Sequence, residues 1–279
     1  VDLNTKEEDV VTTLLTTSAH SDLLFFTDKG KVYQSKMYEI PEGRRATKGK
    51  SIMNFLQLVD GEKVTSILAM PKDVKAMAGI SLMMITKEGT VKKSSADSFK
   101  DVRRNGLIAI RLEEKDELLA ALFVSDEDNV MLTTQNGQSI RFNHTDVREM
   151  GRTAAGVIGM KLDKGDVIVA ADKVVTGVKG AELLIMTANG YGKKTKLSEY
   201  KTQKRGGSGI KTVKVTEKTG KLMVARVVTG DIEELLAVSK DSQVIRTEIS
   251  SIPTLGRDTQ GVRIMKLREG DSLASFNLL

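Results

Sequence analysis

The chain has 279 residues, with 43 lysines and arginines against 37 aspartates and glutamates, and a net charge of +6 at pH 7. It holds no cysteine and no tryptophan, which excludes disulfides, thiol nucleophiles and zinc–thiolate sites and fits a reducing compartment. Hydrophobic content of 40% allows a substantial core, yet no apolar run approaches the ~20 residues that cross a bilayer and no signal peptide is visible.

The opening V-D-L-N-T-K-E-E-D reads as a boundary inside a longer protein. Residues 9–19, D-V-V-T-T-L-L-T-T-S-A, then read as a leftover strand of a preceding unit. Val10, Val11, Leu14 and Leu15 are too apolar to leave solvated, each worth about 1.5–3 kcal/mol on burial, so residues 10–17 are expected to pair with a neighbouring sheet. Five related stretches follow: L-L-F-F-T-D-K-G-K-V-Y from 23, L-M-M-I-T-K-E-G-T-V-K from 82, V-M-L-T-T-Q-N-G-Q-S-I-R from 130, L-L-I-M-T-A-N-G-Y-G-K from 183 and L-L-A-V-S-K-D-S-Q-V-I-R from 235. Each is an apolar strand, a tight turn needing φ > 0, and a basic strand, which is a hairpin signature. A second glycine follows each hairpin, at Gly49, Gly106, Gly156, Gly209 and Gly261, at separations of 19, 17, 19, 19 and 19 residues from Gly30, Gly89, Gly137, Gly190 and Ser242.

After the second glycine a third strand is expected at M-N-F, I-R-L, M-K-L, V-K-V and M-K-L. Arg111, Lys161, Lys214 and Lys266 stand there between apolar neighbours, so alternation puts the cation on one face and the apolar pair on the other. An apolar fourth strand closes each unit. The units run approximately 20–73, 80–127, 128–176, 181–231 and 232–279 of a single domain covering 1–279. A four-stranded unit repeated five times implies an all-β fold, a propeller-like ring or a solenoid. A chain that starts and stops at the same phase favours the ring.

Charge recurs with the same period. Windows of 25 residues from each hairpin turn carry 28 basic and 10 acidic residues, while the remainder carries 15 and 27. The small net charge therefore hides a basic belt and an acidic remainder, and such a belt points to a polyanion. Its expected cations are Lys31, Arg44, Arg45, Lys48, Lys50, Lys92, Lys93, Arg103, Arg104, Arg141, Arg148, Arg152, Lys193, Lys194, Lys204, Arg205, Lys211, Arg246, Arg257 and Arg263.

Three phrases make the pattern specific: E-M-G-R-T-A-A-G-V-I-G-M-K-L from 149, G-R-D-T-Q-G-V-R-I-M-K-L from 256, and Q-K-R-G-G-S-G from 203. With the repeated hairpins they resemble, over essentially the whole chain, the C-terminal domain of the gyrase-A family of bacterial DNA gyrases, and less closely the equivalent domain of topoisomerase IV. The resemblance implies a β-pinwheel, a propeller-like disc of four-stranded blades that exchange strands. It implies a non-catalytic module whose basic rim bends duplex DNA with little sequence preference and supports supercoiling. The partners implied are the gyrase B protein and the catalytic core of the module's own polypeptide, in the bacterial cytoplasm at the nucleoid, with no cofactor and no membrane. The family's box reads Q-R-R-G-G-[K/R]-G; here Gln203, Lys204, Arg205, Gly206, Gly207, Ser208 and Gly209 depart from it at Lys204 and Ser208. Two roles stay open for residues 203–209: the principal determinant of wrapping, or a box-like loop that contacts DNA beside a true box upstream. Arg44-Arg45-Ala-Thr-Lys48-Gly49 occupies the same phase.

Catalytic chemistry has no foothold in the sequence. His20 and His144 read as surface or edge residues, and Asp126-Glu127-Asp128 lacks the glycine and spacing of a calcium loop. Gly190-Tyr-Gly-Lys193-Lys-Thr195 misses phosphate-loop spacing and precedes no helix. The four tyrosines read as packing or capping strands, and the 12 methionines as core filling. A protein-interaction propeller is the competing class, and it would show exposed aromatics and few lysines at its surface.

Overall fold

The computed structural model describes residues 15–43, 49–71, 79–102 and 105–279. Of the expected leftover strand, residues 9–14 lie outside the described residues, and 15–19 form no strand. The first repeat supplies β1 (Asp22–Thr27), β2 (Lys31–Lys36) and β3 (Val64–Ala69). The second supplies β4 (Ser81–Thr86), β5 (Thr90–Ser95), β6 (Leu107–Ile108) and β7 (Leu118–Val124). The third gives β8 (Asp128–Thr134), β9 (Gln138–Asn143), β10 (Val157–Ile158) and β11 (Ile168–Val175). The fourth gives β12 (Glu182–Thr187), β13 (Tyr191–Lys196), β14 (Ile210–Lys211) and β15 (Leu222–Val228), and the fifth β16 (Glu234–Ser239), β17 (Val244–Glu248), β18 (Val262–Arg263) and β19 (Leu273–Leu278).

These strands form four four-stranded sheets and one of three strands among the described residues, in the orders β3-β1-β2-β6, β10-β5-β4-β7, β11-β8-β9-β14, β15-β12-β13-β18 and β17-β16-β19. Each four-stranded sheet takes three strands from its own repeat and its last from the next one. The chain divides into two compact units, one holding residues 15–128 and 144–159, the other 129–143 and 160–279. The first contains the first two sheets and the second the remaining three.

The exchanged strand is two residues long and starts directly after the second glycine. It precedes the phrases I-R-L, M-K-L, V-K-V and M-K-L rather than containing them, and in the first repeat Ile52–Asn54 is a 3-10 turn. The physical reason lies in where the next amides go. Thr212 and Val213 both donate to the Gly137 carbonyl, at 2.7 and 3.3 Å, and Ile264 and Met265 both donate to that of Gly190. Two consecutive amides aimed at one acceptor cannot continue a ladder. The close pass also explains the turn glycine: a Cβ on Gly190, at φ +78°, would sit 2.2 Å from the Met265 carbonyl oxygen. In the fifth repeat, where no exchanged strand joins β17 among the described residues, the turn residue is Ser242, at φ 59°.

Cores form between sheets. In the first unit Leu24, Phe26, Leu82, Met84, Phe99 and Ile110 pack together, with Phe26 and Phe99 edge to face. In the second, Leu184, Met186, Leu235, Met265 and Leu273 form one cluster, and Met131, Leu183, Ile185, Tyr200 and Val213 another. Within each unit the repeats' last strands lie side by side, β3 against β7, and β11 and β19 against β15. Polar ties join them: the Ala121 amide donates to Ser66 Oγ at 3.0 Å, and the Val227 amide to Asp172 Oδ2 at 2.7 Å. The exchanged strands occupy the opposite sheet edge, so the loops that precede them are carried away from this packed side.

Candidate nucleic-acid interface

The loops between the second hairpin strand and the exchanged strand are residues 144–156, 197–209 and 249–261; the middle one carries Lys201, Lys204 and Arg205 against Glu199, while the other two balance their arginines with acids. Each of the three runs along the second hairpin strand of the preceding repeat, held by an amide–carbonyl bond at the same phase: Met150 to Lys93 at 2.8 Å, Gln203 to Arg141 at 2.7 Å and Leu255 to Lys194 at 2.8 Å. The preceding repeat's post-glycine cation is tied to the same loop through its own backbone. Arg111 N donates to the Ala154 carbonyl, Lys161 N to Gly207 and Lys214 N to Thr259, at 3.2, 3.0 and 3.0 Å. Arg111, Lys161, Lys214 and Lys266 are all exposed, whereas Ile110, Met160, Val213 and Met265 before them are at most 2% exposed. The alternation read from the sequence is present, although these residues follow the short strand instead of forming it. The result is a repeated grouping: Arg111 with Arg152, Lys161 with Lys204 and Arg205, and Lys214 with Lys211 and Arg257.

The expected cations divide by environment. Lys50, Arg148, Arg152, Lys204, Lys211, Arg246 and Arg263 are exposed, and Lys31, Arg141, Arg205 and Arg257 half-buried. Arg44, Arg45, Lys48, Arg103 and Arg104 lie outside the described residues. Several of the described cations are partly neutralised: Lys211 lies 3.3 Å from Asp258, half-buried Arg257 3.9 Å from Glu199, and Arg246 is paired with Glu234.

Lys92, Lys93, Lys193 and Lys194 face the interior rather than the outer edge, with exposures of 0, 7, 0 and 8%. Lys193 Nζ donates to the carbonyls of Gly256 and Arg257 at 2.5 and 2.7 Å and to Thr259 Oγ1 at 3.0 Å. Lys92 Nζ plays the same part in the first unit, donating to the Ala109 carbonyl at 2.6 Å and to that of Arg152. Burial lowers both lysines to about 8 from 10.5. These cations organise the loops that carry exposed cations. Lys194 pairs with Glu182 at 3.3 Å, and Lys93 Nζ meets the His144 carbonyl at 3.3 Å. In the third sheet the place of Lys92 and Lys193 is taken by Ile140, fully buried, and half-buried Arg141 reaches the Leu197 and Tyr200 carbonyls, both at 3.4 Å.

The loop over that sheet is the glycine-rich one. Gly209, at φ +77°, would place a Cβ 2.5 Å from the Ser139 carbonyl oxygen and 2.8 Å from Met160 Cε, so the fold itself requires this glycine. Lys204 and Ser208 are exposed.

His20 is exposed; His144 is buried, and burial, then Lys93, lowers its pKa. Asp128 Oδ2 accepts from the Ser125 amide and hydroxyl, at 2.8 and 3.0 Å, which makes the Asp126–Asp128 run a capped turn. Tyr33 donates to Glu62 Oε2 at 2.8 Å, and its hydroxyl is raised by burial and that carboxylate. Among the described residues no cluster of three or more acids and histidines is placed to hold a metal, and no helix is long and apolar enough to cross a membrane.

The profile of the DNA gyrase C-terminal domain, beta-propeller, matches residues 21–69, 81–125, 128–174, 181–229 and 233–279. The chain belongs to the DNA gyrase C-terminal domain family. It is 41% identical over 273 residues to the DNA gyrase A protein of Staphylococcus epidermidis and 40% identical over 265 residues to that of Staphylococcus aureus, covering 98% and 95% of this chain. It spans only 30% and 29% of the length of those relatives. A solved DNA gyrase A C-terminal domain superposes with a TM-score of 0.79 at 29% identity, covering 96% of this chain and 89% of that one. The C-terminal domain of a DNA topoisomerase IV superposes at 0.86 with 23% identity, covering 100% and 85%, which is a likeness of fold. The all-β pinwheel that the family resemblance implied is the fold of this family.

Proposed function

We propose that this chain is a non-catalytic module that bends and wraps duplex DNA along its loop-bearing sheet edges. It would present that DNA to the cleaving core of its own polypeptide, working with the gyrase B protein in the bacterial cytoplasm. The observation that carries the reading is the repeated grouping of cations, in which the backbone amides of Arg111, Lys161 and Lys214 are each hydrogen-bonded to the next repeat's loop. Cations aimed at phosphates position a duplex without reading its base edges. Bending duplex by 40–90° costs about 1–6 kcal/mol, so a path around several repeats needs cations on each of them.

Titration with random-sequence duplex at several salt concentrations tests the reading. One or two phosphates neutralised per repeat give a slope of log affinity against log salt of roughly −4 to −9. A slope near −1, or a preference of many hundredfold for one sequence, overturns it.

A further inference from the structure

We infer that Tyr191, Lys218 and Arg263 form a seat for phosphate groups at the turn end of the fourth sheet, beyond the outer-edge loops; the inference rests on the DNA reading above. A cleft of about 380 Å³ opens there, with Lys266, Arg268 and Asp271 completing its charged lining. Tyr191 is 6% exposed, and its ring lies 5.4 Å from both Lys218 Nζ and the Arg263 guanidinium. Arg263 also donates to the Tyr191 hydroxyl at 2.9 Å.

An aromatic face orients a cation through its quadrupole without neutralising it. That is the difference from Lys211, Arg246 and Arg257, which a carboxylate holds. Among the described residues none of Lys218, Arg263, Lys266 and Arg268 forms an ion pair. The one acid of the lining is held by backbone amides: Asp271 Oδ1 accepts from Asp241 and Ser272 at 3.1 and 2.7 Å, and of the four cations Arg268 is the one that faces it. Asn189 fixes the other wall, donating to the carbonyls of Glu217 and Lys218 at 3.1 Å each.

The feature does not repeat. Tyr191 opposes Arg263 across the exchanged strand, where the other sheets pair Lys31 with Ile108, Thr90 with Ile158 and Gln138 with Lys211. The fold is therefore built three times without it, so packing alone does not account for the aromatic–arginine pair. Four cations in one cleft, two of them over an anchored ring and Arg268 alone facing a carboxylate, suit an oxyanion of high charge density, and a phosphate fits.

The test compares Lys218→Gln/Arg263→Gln with a charge-matched control, Lys164→Gln/Lys179→Gln, in the 279-residue chain, using random-sequence duplex and inorganic tripolyphosphate as separate probes. Two lost phosphate contacts should flatten the duplex salt slope by about 2, so that the cleft variant loses about 10-fold less affinity than the control between 50 and 200 mM salt. That result supports the seat with the duplex backbone as source. Tripolyphosphate binding that vanishes in the cleft variant, with an unchanged duplex slope, supports it with a free polyphosphate as source. If both probes bind the two variants alike, the inference is overturned. Absence of duplex binding by the unaltered chain would instead sink the DNA reading, and the tripolyphosphate arm still decides the cleft.

Discussion

Replacing Lys193 by methionine keeps the length of the side chain and removes its donors. The Gly256 and Arg257 carbonyls and Thr259 Oγ1 then lose a partner in a site closed to solvent on the lysine's side. A buried acceptor left without a donor costs about 1–3 kcal/mol; the Gly256 carbonyl keeps the Thr259 hydroxyl at 2.9 Å, so the Arg257 carbonyl alone sets that scale. Relief of the desolvated ammonium offsets part of this, leaving about 1–2 kcal/mol. For a chain of this size each kcal/mol moves the midpoint by about 2–4 °C, so the thermal midpoint should fall by about 2–8 °C. Amide exchange should accelerate first in residues 254–260, and Lys204→Met, on an exposed side chain, should do neither. An unchanged midpoint with unchanged protection of residues 254–260 would refute the reasoning and leave Lys193 as a tolerated buried charge.

Burial lowers Lys92 and Lys193 to about 8, with Arg152 facing the first, and Glu199, Asp258 and Arg257 facing the second. The folded state then releases these protons before the unfolded chain does, so their burial costs stability below about pH 8 and the cost fades toward 10.5. The stability of the unaltered chain relative to Lys92→Met/Lys193→Met should therefore rise over that window, and urea midpoints that keep a constant gap would contradict it. Gly209→Ala should cost at least about 1–3 kcal/mol through its positive φ and the Ser139 contact, while Gly49→Ala, with nothing within 4 Å of its Cβ, should be near neutral in the same melts. Lys204→Ala/Arg205→Ala should reduce duplex bending at saturation more than affinity, read by energy transfer between duplex ends; unchanged bending and affinity would make the heptad a surface turn.

The hairpins, their period and the cation five residues past the second glycine in four of the five repeats were legible because they are local: alternation and φ > 0 leave marks within a few residues. The exchanged strand was placed too late because its limit is set by the preceding repeat's turn carbonyl, which no local pattern records. The buried lysines were illegible for the same reason. Y-G-K-K-T-K reads as a polar strand, and the carbonyls that receive Lys193 lie 63 and 64 residues further on. Lys218 escaped notice because its partner is an aromatic ring supplied by a separate hairpin.

Strand exchange decides how exactly this architecture can place a charge. The segment from Leu197 to Val215 belongs by sequence to the fourth repeat, yet its middle is hydrogen-bonded to the third: Gln203 to Arg141, Gly207 to Lys161, Ile210 and Lys211 to β9, Thr212 and Val213 to Gly137. The chain is tied to the fourth repeat at the segment's start, in the 3-10 turn Leu197–Glu199, and just beyond its end at Thr219, whose carbonyl accepts from the Asn189 amide at 3.0 Å. A loop tied at one end only would place a cation within the reach of a lysine stem. Tied to two sheets, it holds the backbone beneath Lys204, Arg205, Lys211 and Lys214 to the geometry of the sheets themselves. The spacing between successive cation groups is thus a property of neighbouring repeats taken together, and a surface of this kind cannot be assembled from one repeat alone.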